Sequence, residues 1–218
     1  MPAREYIYKQ HKEYQMNPKY LIRLITKKDA DEVLSVYKYF VDNTIISFEY
    51  EAPTKDEYVQ RIITNTQKYP WLVCLRHNEI VGFAHGSTHR HRTAYQWSPE
   101  STIYFAPDFH TKGIGRILYE TLFLLLKLQG YYNVLAGVSL PNEKSIGFHR
   151  ALGFEEIGIF KNVGYKHGNW HHTHWFQLDL TEHIVDPPIP KNLNEVIATS
   201  AFQSILATAN ERVMKINE

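Results

Sequence analysis

Apolar residues recur along the chain with two different periods, and together they predict a mixed α/β fold around one sheet. Short apolar or alternating runs indicate strands, whereas apolar residues three and four positions apart indicate helices. The predicted order of elements is β-α-α-β-β-β-α-β-α-β-β. The predicted strands cover residues 20–25, 71–75, 80–85, 103–105, 132–138, 155–163 and 175–180.

Capping residues mark the ends of several predicted helices. Thr26 precedes a run with helical apolar spacing, so we expect it to be the N-cap of the first helix. Thr54 and Glu57 have the spacing of a capping box at the start of the second helix. Gly153 is expected to end the short helix after the fifth strand, with Phe154 packing back onto it.

The length of 218 residues predicts one domain with an extension at each end. Residues 1–19 are polar and have no firm periodicity, so we expect an N-terminal extension there. Residues 20–180 contain the predicted sheet and its helices. Residues 181–218 include the stiff proline-rich segment 186–190 and are predicted to form a linker and an added C-terminal helical extension.

The stretch from Pro99 to Tyr119, PESTIYFAPDFHTKGIGRILY, combines a strand, a turn, a glycine loop and a helix. Gly113 and Gly115 let backbone N–H groups approach a ligand, and the N-terminus of the following helix carries partial positive charge. The stretch therefore predicts an anion cradle. It is neither a P-loop nor a complete dinucleotide-binding fingerprint, because the lysine of the first and the third glycine of the second are missing.

Composition narrows the classes of function. A hydrophobic fraction of 44% with 22% charged residues is ordinary for a soluble globular protein. The formal net charge of +1 gives no general attraction to nucleic acid or an anionic membrane, so we expect neither as a partner. The N-terminus lacks the apolar segment of a secretory signal, and the apolar run LFLLLKL is too short to span a bilayer. We therefore expect a cytoplasmic protein in which the single cysteine, Cys74, is a buried strand residue.

A second pattern, N-x-x-[AS]-x-x-x-[YH]-x-x-x-G-F, is formed by Asn142, Ser145, His149 and the pair Gly153-Phe154. Together with the glycine loop, it resembles the two segments with which GCN5-related N-acetyltransferases (GNAT) contact acetyl-CoA. The motifs YPWLV, AYQW, ESTIY, LPNEKS, HRALGF and GYKHGNWH are similar to those of one subfamily, the phosphinothricin (methionine sulfoximine) N-acetyltransferases. The resemblance covers about residues 20–180.

This resemblance implies a GNAT fold, in which a mixed, mostly antiparallel central sheet is flanked by helices. It also implies acetyl-CoA as cosubstrate and no metal. The residues that it assigns to acetyl-CoA are Ile103, Tyr104, Phe105, His110, Thr111, Lys112, Gly113, Ile114, Gly115, Arg116, Asn142 and Ser145. His110 stands where the family has Gln or Arg, and Thr111 replaces a usual Arg, so we expect a weaker hold on CoA.

Direct transfer to an amine requires a base, because an α-ammonium group is mostly protonated near neutral pH. Glu100 matches the subfamily's proposed base and begins the central predicted strand. His149 stands where many relatives have a Tyr that protonates the leaving thiolate. Its expected role is open between an acid, a group that positions the base, and a half-buried residue beneath CoA.

Residues on the substrate side are also assigned by resemblance. Arg92 matches the subfamily's substrate arginine, which could hold a carboxylate through two hydrogen bonds. Phe48, Tyr104 and Lys166 are further candidates. Arg92 lies in the long polar connection 86–99, which from its residues alone is either a functional loop or a solvated surface loop.

Four histidines near the end of the predicted sheet, His167, His171, His172 and His174, suggest a metal site. No carboxylate or cysteine accompanies them in the sequence, so we expect a polar rim and no metal. The subfamily usually has Asp where His172 stands, so this rim is expected to differ from that of its relatives.

The function expected from the resemblance is transfer of acetyl from acetyl-CoA to the α-amine of a small amino acid or analogue, by a homodimeric enzyme. Two alternatives remain open. The acceptor could be a peptide N-terminus or a polyamine, or the protein could be a non-catalytic acyl-CoA-binding module.

Overall fold

The computed structural model describes residues 18–109 and 113–216, and these form one seven-stranded sheet with helices packed against it. The strands are β1 (Tyr20–Leu24), β2 (Trp71–Arg76), β3 (Glu79–Ser87), β4 (Glu100–Phe105), β5 (Asn133–Ser139), β6 (Glu155–Lys166) and β7 (Asn169–Asp179). The helices are α1 (Ala30–Asn43), α2 (Lys55–Asn65), α3 (Ile114–Gln129), α4 (Glu143–Ala151), α5 (Leu193–Val196) and α6 (Ser200–Met214). The order of elements through β7 is the predicted one.

The strands lie in the order β1-β2-β3-β4-β5-β7-β6. All neighbouring strands are antiparallel except β4 and β5, which are parallel. This confirms the predicted mixed, mostly antiparallel sheet. No helix in the described part of the chain is both long enough and apolar enough to cross a membrane.

The predicted helix starts are confirmed with one refinement. Thr54 and Glu57 form the expected capping box, in which the Glu57 carboxylate accepts a 2.7 Å hydrogen bond from the Thr54 N–H. Thr26 caps a single 3₁₀ turn at residues 27–29, and the α-helix begins only at Ala30. The reason is local: the Asp29 carboxylate accepts from the Thr26 N–H and also pairs with Arg23, which fixes this turn separately from α1.

Two apolar cores lie on opposite faces of the sheet, and β4 contributes to both. Successive strand residues point to opposite faces. Ile103 and Phe105 pack with the core around α3, whereas Tyr104 packs with the core around α1 and α2. The alternation therefore places Glu100, Thr102 and Tyr104 on the same face of β4.

The C-terminal stretch forms two helices where the sequence pattern predicts one. The chain restarts at α6 because the Thr199 hydroxyl caps a new first turn by accepting from the Phe202 N–H. Phe202 and Val213 are fully buried in the α3-side core. The C-terminal extension is thus part of the packed molecule. Of the predicted N-terminal extension, residues 1–17 lie outside the described residues.

Candidate active site

The parallel strands β4 and β5 diverge almost as soon as they meet. Glu100 and Leu135 are their single pair in register, and the residues beyond them separate. The opening holds a cavity of about 90 Å³, which we call the cleft cavity. It is lined by residues 101–104 of β4, residues 136–139 of β5, and side chains of α4. Backbone groups on these facing edges are available to an extended ligand that lies between the strands.

The second sequence motif is assembled at this cleft. Asn142 caps α4 by accepting a 3.1 Å hydrogen bond from the Ser145 N–H. The helical spacing then brings Asn142, Ser145 and His149 to one face, and all three line the cleft cavity. Gly153, with φ of 89°, follows the helix, and Phe154 is buried against His149 at a ring separation of 5.0 Å.

His149 is buried and bonded to its own helix. Its Nδ1 lies 2.8 Å from the Ser145 carbonyl oxygen, and because a carbonyl only accepts, Nδ1 carries the hydrogen. Burial lowers the pKa of the ring, whereas the bond to Ser145 acts in the opposite direction. His149 is therefore a neutral imidazole near pH 7, whose Nε2 is an acceptor. This state favours a positioning or packing role over that of an acid.

A second cavity, of about 540 Å³, lies between the start of α3 and the outer face of α4, and we call it the helix-end cavity. Gly113 and Gly115 line it together with Phe105 and Arg116. Gly113 has φ of 93°, a backbone conformation that favours glycine, and it opens the first turn of α3 toward this space. The free N–H groups of that turn make it suitable for an anion.

The other residues of this loop that were predicted to bind acetyl-CoA lie in different environments or outside the described residues. His110, Thr111 and Lys112 lie outside the described residues. The Ile114 side chain is fully buried in the core, so only its backbone faces the loop. The Arg116 guanidinium donates a 2.7 Å bond to Glu120, which keeps it along the helix surface.

A third and larger cavity, of about 1120 Å³, lies on the other face of the sheet between β3, β4 and α2. We call it the aromatic cavity, because Tyr37, Tyr58, Trp71, Phe83 and Tyr104 line it. Thr102 and Tyr104 border both this cavity and the cleft cavity. The two spaces therefore meet across one strand.

Polar groups in the aromatic cavity form a connected network. Arg61 donates two bonds to Glu49, of 2.6 and 3.1 Å, and the Tyr37 hydroxyl donates to the same carboxylate. Burial raises the pKa of Tyr37 to about 12, so its hydroxyl stays protonated. His85 lies against Trp71 at 4.2 Å, and burial lowers its pKa to about 4, so this ring is neutral. The network fixes one positive and one negative group at this side of the cavity.

Glu100 lies at the vertex where β4 and β5 separate. Its carboxylate is partly exposed, and its Oε1 is 2.6 Å from Nδ1 of His89. His89 belongs to the connection between β3 and β4. The sequence pattern did not single out this residue, although the pairing of Ser87 with Glu100 brings the two side chains together.

The other residues predicted to contact the substrate lie in three different parts of the structure. Arg92 is exposed in the β3–β4 connection and lines a cavity of about 280 Å³, which shares Lys68 and Tyr69 with the aromatic cavity. Phe48 packs instead on β6, with its ring directly over Gly164. Lys166 is buried, and its ammonium donates to the carbonyls of Val41 and Ser47. Lys166 therefore ties the last turn of α1 and the loop after it to β6 and does not line the cavities described above.

The histidines of β7 are engaged in local bonds. Nε2 of His171 lies 3.0 Å from the Lys166 carbonyl, and Nδ1 of His172 accepts from the Asn162 N–H. His174 pairs with Glu156. Among the described residues no group of three or more His, Cys, Asp or Glu side chains is arranged to hold a metal ion. Cys74 is buried, which raises the pKa of its thiol to about 12 and makes it a poor nucleophile.

The sequence of this chain is similar to those of known acetyltransferases. A model of the acetyltransferase (GNAT) domain matches residues 22–175. The phosphinothricin N-acetyltransferase of Streptomyces viridochromogenes is 32% identical over 169 residues, which are 78% of this chain and 91% of that protein. The L-methionine sulfoximine/L-methionine sulfone acetyltransferase of Salmonella typhimurium is 28% identical, over 74% of this chain and 95% of that protein.

Solved structures of acetyltransferases also match this chain. A GNAT superfamily phosphinothricin acetyltransferase of Sinorhizobium meliloti, in complex with acetyl-CoA, matches with a TM-score of 0.74 and 32% identity, over 78% of this chain and 94% of that chain. An N-acetyltransferase of Staphylococcus aureus Mu50 matches with a TM-score of 0.72 and 31% identity, over 74% of this chain and 99% of that chain.

Proposed function

The chain belongs to the GNAT family of acetyltransferases, and we propose that it transfers the acetyl group of acetyl-CoA directly to the α-amine of a small amino acid or amino-acid analogue. One observation carries this proposal: Thr102 and Tyr104 form a wall common to the cleft cavity and the aromatic cavity. An acyl donor in the first space and an amine in the second meet across β4. Direct transfer needs this proximity.

The described residues fit acetyl-CoA in two places. The diverging strands accept an extended arm in the cleft, where a backbone N–H can polarise the thioester carbonyl. The open first turn of α3 at Gly113 and Gly115 suits the pyrophosphate. Asn142 and Ser145 line the cleft from the other side. Because the Arg116 side chain is bonded to Glu120, backbone groups carry most of the phosphate binding in this proposal.

The reaction begins with loss of a proton from the acceptor ammonium to the Glu100 carboxylate. The freed nitrogen lone pair then attacks the thioester carbonyl carbon. The new C–N bond forms and the C–S bond breaks. The nitrogen then loses its second proton, and the CoA thiolate takes up one proton and leaves as the free thiol. Glu100 suits this role because it lies at the vertex of the cleft and on the same face of β4 as Tyr104.

The aromatic cavity supports a zwitterionic acceptor. Its aromatic walls accommodate an apolar stem, while Glu49 and Arg61 present opposite charges at one side. Arg92 at the adjoining cavity offers a further cation for an acidic tail. An amino-acid analogue as acceptor is also supported by the relatives named for phosphinothricin and for methionine sulfoximine and methionine sulfone.

The first experiment measures thiol release from acetyl-CoA with a panel of amines. The panel contains phosphinothricin, methionine sulfoximine, common amino acids, a peptide with a free N-terminus, and spermidine. We expect release with at least one small α-amino acid or analogue and none with spermidine. Release with the peptide or the polyamine alone would replace the proposed acceptor class. Tight binding of acetyl-CoA with no release for any amine would identify a non-catalytic acyl-CoA-binding module.

The second experiment tests the base. Glu100→Gln should lower kcat at neutral pH by about 10²-fold, because the amide cannot take a proton. The loss should shrink as the pH approaches the pKa of the acceptor amine, where the free amine is already abundant. Glu182→Gln, an exposed change outside the sheet, is the matched control and should leave kcat unchanged. Equal pH profiles for Glu100→Gln and the wild type would remove Glu100 from this role.

We further propose that residues 20–180 form the catalytic unit, that residues 181–218 form an extension bracing it, and that the enzyme is a cytoplasmic homodimer. The extension is supported by the burial of Phe202 in the α3-side core. The homodimer is supported by the exposed apolar side chains of edge strand β6, with Ile157 57% exposed and Val163 52% exposed. The cytoplasm is supported by the use of acetyl-CoA and by Cys74 as a free thiol.

A further inference from the structure

His89 makes a short side-chain hydrogen bond to Glu100. Its Nδ1 lies 2.6 Å from Oε1 of the carboxylate. The histidine side chain is 14% exposed and the glutamate side chain 32% exposed, so the bond is partly sheltered from water. No other hydrogen bond to the Glu100 side chain is found in the described part of the chain, which leaves Oε2 available.

Arg90 determines which nitrogen of His89 carries the hydrogen. The Arg90 Nε–H donates to Nε2 of His89 over 3.2 Å. A guanidinium group has no acceptor, so Nε2 must be the unprotonated nitrogen of the ring. Nδ1 then carries the hydrogen and donates it to Glu100. In this pair the imidazole is the donor and the carboxylate is the acceptor.

Aromatic side chains hold the His89 ring in this orientation. Tyr95 and Trp175 each meet it edge-on, with ring centroids at 5.9 and 5.6 Å. The Arg90 guanidinium lies over the Tyr95 ring at 5.7 Å, which keeps the arginine beside Nε2. The three elements that meet here are the β3–β4 connection, the start of β4, and β7.

We propose that His89 is a positioning residue for Glu100, an inference that rests on the proposed function. Its Nδ1–H occupies Oε1, fixes the plane of the carboxylate, and directs Oε2 toward the acceptor ammonium. Arg90 acts one step further away, by fixing the tautomer that makes His89 a donor. His89 itself neither gives nor takes a proton during the reaction.

Comparison with His149 shows why the acceptor of the His89 Nδ1–H group matters. Both histidines donate from Nδ1, but His149 donates to the backbone carbonyl of Ser145 in its own helix. His149 therefore supports the α4 wall of the cleft, whereas His89 acts on a carboxylate at its vertex. Of these two residues, only His89 is placed to affect the geometry of proton removal.

The test compares two substitutions that differ in one hydrogen-bond donor. In His89→Asn the side-chain amide nitrogen is as many bonds from the backbone as Nδ1 and can still donate to Glu100. In His89→Leu this donor is lost while the apolar contacts with Tyr95 and Trp175 are largely kept. His183→Leu, at an exposed histidine outside the sheet, is the control.

With the acceptor found in the amine panel, we expect His89→Leu to lower kcat by about 10- to 100-fold, with KM for the amine changed by less than about threefold. His89→Asn should recover kcat to within about threefold of the wild type. Arg90→Met should cause an intermediate loss, because the other tautomer becomes accessible. Unchanged kcat in His89→Leu would overturn the proposal. Equal losses in the Leu and Asn variants, or a change confined to KM, would also overturn it.

A second measurement keeps this inference distinct from the proposed function. In ¹⁵N NMR of the imidazole groups, the signal absent from His89→Asn identifies His89. We expect it to show a protonated Nδ1 and an unprotonated Nε2, with a shift of Nδ1 in Glu100→Gln. If no amine in the panel is acetylated, the proposed function fails while this spectrum still decides the bond. The opposite tautomer, or an Nδ1 signal unaffected by Glu100→Gln, would refute the bond itself.

Discussion

Strands β1 and β6 form the two edges of the same sheet, and the described chain covers them very differently. Helix α6 lies along β1, and Asn210 takes the place of a neighbouring strand there. Its Oδ1 accepts from the Ile22 N–H over 2.7 Å, and its Nδ2 donates to the Ile22 carbonyl over 2.9 Å. In contrast, residues 155–163 of β6 are all exposed, including four large apolar side chains, Ile157, Ile159, Phe160 and Val163.

The difference shows which edge the chain itself completes. The helix that covers β1 lies after residue 175, where the match to the GNAT domain ends. Edge protection at β1 is therefore provided by residues outside the matched domain. At β6 no described residue covers the exposed apolar side chains, and such an edge is a template for pairing with another chain, which is the basis of the proposed homodimer.

The largest expected effect comes from removing the apolar anchor of the β1 cover. Phe202 is fully buried, so Phe202→Ala leaves a cavity between α6 and the α3-side core. We expect the free energy of unfolding to fall by about 3–5 kcal/mol, measured by urea denaturation. Phe160→Ala on β6 is the matched control and should cost far less, because that ring is 49% exposed. Similar losses at both edges would contradict the comparison.

The next effect concerns the hydrogen bonds that replace a strand. Asn210→Leu keeps the side-chain bulk but leaves the N–H and C=O of Ile22 without these partners. We expect a loss of about 2–3 kcal/mol in the free energy of unfolding, since two backbone groups lose their bonds. Hydrogen exchange at the Ile22 amide should become faster in the variant. Glu211→Leu, at an exposed position of the same helix, should leave both quantities nearly unchanged.

A smaller effect depends on pH and again concerns β1. Burial raises the pKa of Asp29, but hydrogen bonds from Arg23 and Thr26, together with the Arg23 charge, outweigh it and lower the pKa below its ordinary value of 3.8. A lowered pKa in the folded state stabilises the protein above the unfolded value, and this stabilisation is lost as the pH falls through the folded value.

Asp29→Asn should therefore lower the free energy of unfolding by about 2 kcal/mol at pH 7, because it leaves the Arg23 charge without its partner. Relative to the wild type, this loss should shrink below about pH 4, where Asp29 of the unfolded chain begins to take up a proton and the wild type loses the stabilisation from this ion pair. Urea denaturation at pH 7 and pH 3 measures both values. A loss that is constant across this range would show that the ion pair does not contribute.

The sequence predicted the strands and the order of the elements along the chain because the strands are short apolar runs with clear turns between them. The capping box at Thr54 was also predictable, since it depends only on local spacing. The split of the C-terminal stretch into α5 and α6 was not predicted, because apolar spacing continues across Thr199. Asn210 could not be assigned either, since its partner, Ile22, is 188 residues away and is known only once α6 is docked.

In the candidate site, too, features set by local sequence were predictable and features set by distant contacts were not. The motif of Asn142, Ser145 and His149 was assigned by resemblance, and the helix after Asn142 brings these residues to one face. Lys166 was assigned to substrate by resemblance, but its surroundings depend on the end of α1 and the loop after it, whose carbonyls accept its hydrogen bonds. His89 was missed because nothing in its own segment indicates a carboxylate. Its contact with Glu100 follows from the pairing of β3 with β4.

The smallest effect on folding is expected at the uncovered edge, where the change should instead affect assembly. In the double variant Ile157→Lys/Ile159→Lys, charges replace apolar side chains that are 57% and 46% exposed. The control Ile184→Lys/Ile189→Lys changes side chains that are 57% and 74% exposed but lie outside the sheet. Exposed substitutions of this kind change monomer stability by about 0.5 kcal/mol or less.

By sedimentation, we expect the wild type and the control to be dimers and the β6 variant to be a monomer. The wild-type Tm should rise with protein concentration, because dimerisation stabilises the folded state by mass action, and the Tm of the β6 variant should not. A monomeric wild type, or a β6 variant that remains dimeric, would show that this edge is not the interface.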